Sequence, residues 1–295
     1  KDSEHAANLF SLAEPGFIYT RLNNPTNDVL EQRLAALEGG VAAVATASGT
    51  AAIATTLMVI LKNGDHIVAS SSLYGGTYNL LANTLPRFGI TTTFVDPDSP
   101  EEFSKAVQPN TRAFFAESLG NPKLDVLDLK VISEKAQAAK VPFIVDNTVA
   151  SPALLNPIEY GANIVIHSLT KYLTGNGTSL GGIIIDAGTF NWANGLFPEF
   201  TEPNPSYHGL NYHEALGAIA FIAKVRIEGL RDLGSAPSPF NSFQTIQGIE
   251  TLDIRMKKHS ENALKLSAWL STREEVAWVN YPGLDSSPYK ALADK

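Results

Sequence analysis

Cysteine is absent from all 295 residues of this chain. Disulfides, thiolate metal sites and cysteine nucleophiles are therefore excluded for it. A long hydrophobic run is also missing, because the most apolar window, 46–61, is short and contains Thr, Ser and Gly. The first residues are charged, and no apolar stretch of a secretory signal follows them. We therefore expect a cytoplasmic protein.

Positive charge is scarce. The chain has 22 Lys and Arg against 30 Asp and Glu, a net charge of -8, and no basic tract. This balance argues against nucleic acid as a partner, because phosphate backbones require a basic surface. The six histidines show no spacing typical of metal ligands, so we predict no metal site. With 44% apolar residues, the chain can bury the core of one large domain or two smaller ones.

Apolar runs and amphipathic segments alternate along the first two thirds of the chain. A helix is predicted over 25–37. Strands are predicted over 66–70, 91–95, 112–117, 141–146, 163–167 and 182–186, and helices over 50–61, 76–88, 101–107, 129–139 and 151–156. This alternation predicts an α/β fold with a mostly parallel sheet. Beyond residue 188, we predict a long ordered loop over 192–208 and helices over 215–229 and 239–269.

A lysine follows one of the predicted buried strands in the segment HSLTK, at 167–171. Lys171 there could bind an aldehyde cofactor through its amine, while Ser168 and Thr170 grip a phosphate. Partial desolvation would favour the neutral, nucleophilic form of the amine. An ordinary exposed lysine in a loop is the alternative.

An acid ends another apolar run, VPFIVDNT at 141–148. Asp146 would stand at the carboxyl end of its strand, where open α/β sheets bind ligands. There it could keep a pyridine nitrogen protonated. A helix N-cap or a metal ligand is the alternative interpretation.

Small residues lead into the predicted helix that begins near Thr50. Ser48, Gly49 and Thr50 would present free N–H groups and the positive end of the helix dipole, which suit a phosphate. An ordinary helix with Ser48 as its N-cap is the alternative.

Together and in this order, these segments resemble the transsulfuration, or Cys/Met metabolism, family of pyridoxal-phosphate enzymes. Further matching strings are YTR at 19–21, NPT at 24–26, LAALEGG at 34–40, YGGT at 74–77 and ESLGNP at 117–122. Within the family, the segment 192–211 and the run VAWVNYP at 276–282 resemble the O-acetylhomoserine sulfhydrylase branch.

The resemblance implies the type I, aminotransferase-like fold of pyridoxal-phosphate transferases, with a mostly parallel seven-stranded sheet. It divides the chain into the remnant of an N-terminal arm at 1–30, a large cofactor-binding domain at 31–235, and a linking helix with the start of a small domain at 236–295. Most of that small domain, with the arginine that grips the substrate carboxylate, is expected to lie outside this chain.

The resemblance also implies site roles. Lys171 would bind pyridoxal 5'-phosphate and then shuttle protons, and Tyr74 would stack on its ring. Asp146 would pair with the ring nitrogen, and Asn121 with the ring oxygen or the substrate carboxylate. Ordinary turn residues are the alternative for Tyr74 and Asn121.

Further cofactor contacts are implied for side chains around the phosphate. These are Ser48, Gly49, Thr50, Thr148, Ser168 and Thr170, together with Tyr19 and Arg21 from the neighbouring subunit. The implied assembly is a homotetramer with active sites shared across a dimer interface. A solvated surface arginine is the alternative for Arg21.

The implied reaction is a γ-replacement in methionine biosynthesis that converts O-acetyl-L-homoserine and sulfide to L-homocysteine and acetate. The motifs do not separate this activity from those of cystathionine γ-synthase, a γ-lyase or methionine γ-lyase. The absence of cysteine argues mildly against the last. A catalytically silent scaffold on the same fold is an alternative of another class.

Overall fold

The computed structural model describes residues 2–10, 14, 16–207 and 209–295. The strands are β1 Ala42–Thr46, β2 His66–Ser70, β3 Thr91–Val95, β4 Thr111–Glu117, β5 Phe143–Asp146, β6 Ile164–Ser168 and β7 Gly182–Asp186. The helices are α1 Ser3–Phe10, α2 Pro25–Glu38, α3 Gly49–Ile60, α4 Gly75–Asn79, α5 Pro100–Lys105, α6 Leu129–Ala138, α7 Pro198–Thr201, α8 Tyr212–Leu216, α9 Ala220–Lys224, α10 Arg231–Leu233, α11 Pro239–Ile249, α12 Leu252–Leu270 and α13 Lys290–Ala293.

The strands form one seven-stranded sheet in the order β1-β7-β6-β5-β4-β2-β3. Pairing is parallel from β3 to β6, whereas β7 runs antiparallel to both β6 and β1. The predicted α/β class and the mostly parallel seven-stranded sheet are therefore confirmed. The periodicity did not predict β1, because its run of small residues gives a weak strand signal.

Two helical layers cover the sheet. The front face carries Ile144, Ile166 and Ile184 and packs against α3. The back face carries Val145 and Val165 and packs against α2 and α6. Because side chains alternate along a strand, burial on both faces makes each strand a continuous apolar run.

Several predicted helices differ from the structure. The predicted helix over 151–156 is wrong, because turns occupy it and a 3₁₀ helix follows at Pro157–Tyr160. The predicted helix over 76–88 begins as α4 and continues as a π-helix, Leu80–Thr84, and a 3₁₀ helix, Leu85–Phe88. The predicted helix over 239–269 divides into α11 and α12 at residues 250–251.

The helix predicted over 215–229 is also divided. It contains a 3₁₀ turn, Gly217–Ile219, then α9 and a π-helix, Val225–Leu230. Among the helices of the described residues, none combines the length and apolar character that a bilayer span requires.

The predicted loop at 192–208 is held by an aromatic cluster, and it contains α7 and a 3₁₀ turn, Pro205–Tyr207. Trp192 stacks on Phe200 and on Phe221, with ring centroids 4.2 and 5.3 Å apart. Phe197 meets the same indole edge-on at 5.1 Å. Such pairs stabilise beyond the area they bury, so this segment is firmly packed. His208 lies outside the described residues.

A buried carboxylate connects the end of α2 to the ends of two central strands. Glu38 and His167 are both fully buried, and Glu38 Oε1 lies 2.5 Å from His167 Nε2. Asn147 donates to the same oxygen at 3.1 Å. The side chain of Asn147 in turn accepts a hydrogen bond from Ser118 Oγ at 2.8 Å. Removing one member of such a group leaves its partners buried without hydrogen bonds.

We expect Glu38→Ala to destabilise the protein by about 3–5 kcal/mol, because His167 and Asn147 would lose their buried acceptor. Urea unfolding of the cofactor-free protein measures the change. Glu250→Ala, which removes an exposed ion pair with Arg33 on the same helix α2, is the control and should leave the midpoint nearly unchanged. Equal effects of the two substitutions would show that the group around Glu38 contributes no more to stability than an exposed ion pair does.

Candidate active site

Three polar side chains end three neighbouring strands on the front face of the sheet. Glu117, Asp146 and Ser168 are the last residues of β4, β5 and β6, and Glu117 lies opposite Asp146 in the register. Because parallel strands end at one edge of the sheet, these side chains form a row, here called the front row. Ser118 and Asn147, which follow β4 and β5, and His167 of β6 point to the back face of the sheet. There they form the group around Glu38.

The start of α3 approaches the front row closely. Ser48 is the N-cap of this helix, and its hydroxyl accepts from the N–H of Ala51 at 3.1 Å. A Cβ placed on Gly49 would lie 2.7 Å from the Cβ of Ser168, and one on Gly182 would lie 2.0 Å from the carbonyl oxygen of Ser48. Only glycine permits these approaches. The helix N-terminus and the Ser168 hydroxyl therefore lie side by side, as an anion site requires.

Asp146 is oriented by the residue two positions further on. Its Oδ1 accepts from the backbone N–H of Thr148 at 2.9 Å and from the Thr148 hydroxyl at 2.5 Å. Thr148 Oγ1 also accepts from the N–H of Ser168 at 2.8 Å. Among the hydrogen bonds of the described residues, those to the Asp146 side chain all use Oδ1, which leaves Oδ2 available to a ligand. Burial raises the pKa of Asp146, and the two Thr148 bonds and nearby His167 oppose this effect.

Glu117 is buried beside Asp146. Desolvation and the neighbouring Asp146 carboxylate raise its pKa from 4.5 to about 8, although hydrogen bonds from two backbone N–H groups oppose the rise. Two carboxyls that share a dry environment resist simultaneous ionisation. The front row is therefore suited to a cation placed beside Asp146.

Lys171 lies in the turn after β6, and its backbone N–H donates to the Ser168 carbonyl at 3.4 Å. Thr170 Oγ1 exchanges two hydrogen bonds of 3.3 Å with the backbone of Gly181, which fixes this turn against the start of β7. The side chain of Lys171 is exposed. The partly desolvated pocket expected for this amine is thus not formed by the residues that the structure describes.

Tyr74 and Asn121 stand in two loops at the same edge of the sheet. Tyr74 precedes α4 and is 52% exposed, so its ring face is open to a ligand. Asn121 follows the end of β4 and is also exposed. Thr50, in the first turn of α3, is exposed as well.

Tyr19 and Arg21 are not joined to the front row by any hydrogen bond of the described residues. The Arg21 guanidinium lies over the Tyr19 ring, 5.0 Å from its centroid, and donates to the carbonyl of Arg231. Both side chains are exposed. Within one copy of the chain they form a small exposed group at the N-terminal segment.

Sequence reasoning missed several residues that hold this region. Glu117 is a strand-end acid like Asp146, and this shared feature could have identified it. His167 stands within the HSLTK segment but was given no role. Arg255 had no signal, yet from α12 it donates to the carbonyls of Tyr172 and Gly248, both at 2.7 Å. It thereby holds the turn that carries Lys171.

Residues 1–295 match the family model described as Cys/Met metabolism PLP-dependent enzyme. The chain belongs to this family. It is therefore a pyridoxal-phosphate-dependent enzyme, as the motifs predicted. Among the described residues there is no group of three or more side chains that could hold a metal ion.

Members of the Cys/Met metabolism family with high similarity come from diverse organisms. An O-acetyl-L-homoserine sulfhydrylase from Leptospira meyeri is 58% identical over 303 residues, covering 100% of this chain and 69% of the relative. A homocysteine synthase from Schizosaccharomyces pombe is 48% identical over 298 residues, covering 100% of this chain and 70% of the relative.

Solved structures of the family agree with the fold. A Campylobacter jejuni protein assigned as an O-acetylhomoserine (thiol)-lyase, which carries N'-pyridoxyl-lysine-5'-monophosphate, has a TM-score of 0.96 at 41% identity. The match covers 100% of this chain and 73% of that one. An O-acetylhomoserine sulfhydrylase from Wolinella succinogenes has a TM-score of 0.82 at 36% identity, covering 95% and 79% of the two chains.

The raised pKa of Glu117 predicts that the cofactor-free protein loses stability as pH rises from about 4.5 to about 8. Within this window the folded state binds a proton at Glu117 that the unfolded state has already released, so unfolding becomes easier with pH. The contribution is at most about 1.4 kcal/mol per pH unit. Glu117→Gln should flatten this part of the stability profile, measured by urea unfolding at pH 5, 6, 7 and 8.

The control for this measurement is Glu102→Gln, which removes an exposed carboxylate of α5. It should retain the profile of the unsubstituted protein. A Glu117→Gln profile as steep as that of the control would show that Glu117 carries no raised pKa.

Proposed function

We propose that this enzyme converts O-acetyl-L-homoserine and sulfide to L-homocysteine and acetate, a γ-replacement in methionine biosynthesis. The observation that carries the proposal is the 58% identity, along the whole of this chain, to a named O-acetyl-L-homoserine sulfhydrylase. The names of the Schizosaccharomyces pombe and Wolinella succinogenes relatives agree with it. The segment 192–211, which indicated this branch, is held in place by the Trp192 cluster.

Two features of the site support the fit of pyridoxal phosphate. Gly49 leaves a cradle beside Ser168 that a Cβ would fill, and the free N–H groups of α3 border this space. Asp146 Oδ2 is available to accept a hydrogen bond from a protonated ring nitrogen. The cofactor, when bound, supplies an aldehyde that reacts with amines and a ring that withdraws electrons.

The roles of the residues follow from their chemistry. Ser48, Gly49, Thr50, Ser168 and Thr170 would bind the phosphate through N–H and hydroxyl donors. Thr148 would contribute by orienting Asp146, whose carboxylate would hold the proton on the ring nitrogen.

Three further side chains would act nearer to the substrate. The amine of Lys171 would bind the aldehyde of the cofactor, and the same amine would accept the proton from the substrate Cα. The aromatic face of Tyr74 would stack on the ring, and Asn121 would donate to the ring oxygen or the substrate carboxylate. Acetate leaves from Cγ, where the C–S bond forms in place of the C–O bond.

The decisive experiment offers O-acetylhomoserine with sulfide and with cysteine in separate reactions and identifies the products by mass spectrometry. We expect homocysteine from sulfide. Cystathionine from cysteine would assign the chain to the synthase activity. Oxobutyrate and ammonia without either nucleophile would assign it to a lyase, and bound cofactor without turnover would support the silent scaffold.

The companion prediction concerns Lys171. Lys171→Ala should abolish turnover and remove the visible absorption band that pyridoxal phosphate develops on the protein, because the amine that binds its aldehyde is gone. Lys257→Ala, which replaces an exposed lysine of α12, is the matched control and should keep both properties. A Lys171→Ala variant with an unchanged visible band would refute the assignment.

Tyr19 and Arg21 are proposed to complete the phosphate site of a neighbouring copy in a homotetramer. Their exposure and their lack of hydrogen bonds to the front row within one chain support this arrangement. An arginine fork is well suited to a phosphate.

The domain limits at 30 and 235 and the cytoplasmic location also stay predictions.

Shared sites predict complementation between two inactive variants. Arg21→Ala and Lys171→Ala should each be poorly active alone, but a mixture that is unfolded and refolded together should recover about a quarter of full activity. Half of the dimers would be hybrids, and each hybrid has one intact site. Mixing without unfolding is the control. No recovery in refolded mixtures that contain hybrids would place Arg21 at its own chain's site or at none.

A further inference from the structure

Glu117 is the last residue of β4 and is only 7% exposed. It lies opposite Asp146 in the parallel register, so its carboxyl group faces the same space as the proposed ring site. Burial and the neighbouring Asp146 carboxylate both disfavour the ionised form of Glu117. A polar group buried in this way needs hydrogen-bond partners, which offset the cost of its burial.

The two oxygens of Glu117 accept hydrogen bonds from two different loops. Oε1 accepts from the backbone N–H of Tyr74 at 2.6 Å, and Oε2 accepts from the backbone N–H of Asn121 at 3.2 Å. Tyr74 belongs to the loop after β2, whereas Asn121 belongs to the loop after β4. One carboxyl group thus joins the two loops whose side chains are proposed to contact the ring.

A second link joins the same loops further from the site. Ser72 Oγ donates to Asp125 Oδ1 at 2.6 Å, and both side chains are buried. The N–H of Gly120 donates to the carbonyl of Asp125 at 3.0 Å, which closes the second loop on itself. The link between Ser72 and Asp125 brings the loops together, but it fixes neither Tyr74 nor Asn121 directly.

We propose that Glu117 is a positioning residue that fixes Tyr74 and Asn121 against the cofactor by binding both of their backbone N–H groups at once. This inference rests on the proposed function only for the identity of what Tyr74 and Asn121 contact. A carboxyl group is suited to the task, because each of its two oxygens can accept an N–H group, whether or not the group carries its proton. Glutamine presents one acceptor and one NH₂ group, so it satisfies one N–H and opposes the other.

The test compares Glu117→Gln with the unsubstituted protein by residue-resolved hydrogen–deuterium exchange, with and without pyridoxal phosphate. We expect exchange at Tyr74 or Asn121, or at both, to become about tenfold faster, because a buried N–H loses its acceptor. Exchange in β4, β5 and β6 should stay unchanged. Glu102→Gln, which also removes a carboxylate that accepts a backbone N–H, from Asp96, is the matched control.

A spectroscopic readout tests the consequence for the cofactor. In Glu117→Gln loaded with pyridoxal phosphate, we expect the visible circular dichroism of the bound cofactor to fall at least about twofold, since the ring would lose its fixed orientation. Glu117→Asp, whose shorter side chain cannot reach both loops, should give the same two changes. It serves as the second variant if Glu117→Gln does not fold.

Two outcomes would overturn the proposal. One is unchanged exchange at both amides together with unchanged dichroism. The other is exchange that rises equally throughout the sheet, since this indicates general destabilisation. Local exchange is measured without turnover, so it separates this proposal from the proposed reaction. A protein with local loosening in the variant but no homocysteine formation would retain the positioning role and lose the reaction.

Discussion

The buried carboxylate of Glu38 is the interaction on which the arrangement of the site depends. It ends α2 behind the sheet and binds His167 of β6 and Asn147 just after β5. Those two residues alternate with Ser168 and Asp146 along their strands, so a hydrogen bond on the back face fixes what lies on the front face. The group around Glu38 therefore sets the relative position of the strand ends from which the site is built.

The front row itself is acidic and poorly solvated. Asp146 and Glu117 both have raised pKa values, chiefly because burial disfavours their charged forms. A cation beside Asp146 would offset the cost of burying these negative charges. The pyridinium of the family cofactor is such a cation. At the other end of the site, the N-terminus of α3 offers N–H donors to an anion. The two ends of the site thus match the opposite charges of a pyridinium and a phosphate.

The acidic front row and the N-terminus of α3 lie close together because the backbone segments around them approach each other closely. Gly49 and Gly182 let α3 and β7 contact Ser168 and the Ser48 carbonyl, where any side chain would clash. Arg255 of α12 reaches back to the turn after Lys171 and binds the Tyr172 carbonyl. The part of the chain beyond the sheet therefore helps to hold the turn that carries the proposed reactive amine.

The sequence by itself determined the class of fold and the positions of those site residues that stand at the end of an apolar run or at a helix start. Continuous apolar runs specify strands covered on both faces, and an acid or a lysine at the end of such a run projects from the sheet edge. This local information was enough to place Asp146 at a strand end, Lys171 in the turn after a strand and Ser48 at a helix start. The tertiary structure alone decided what Glu117, Glu38 and Arg255 do, because their partners are brought close by strand register and helix packing. The same packing decided that residues 151–156 form turns, since helical propensity is weak compared with tertiary contacts.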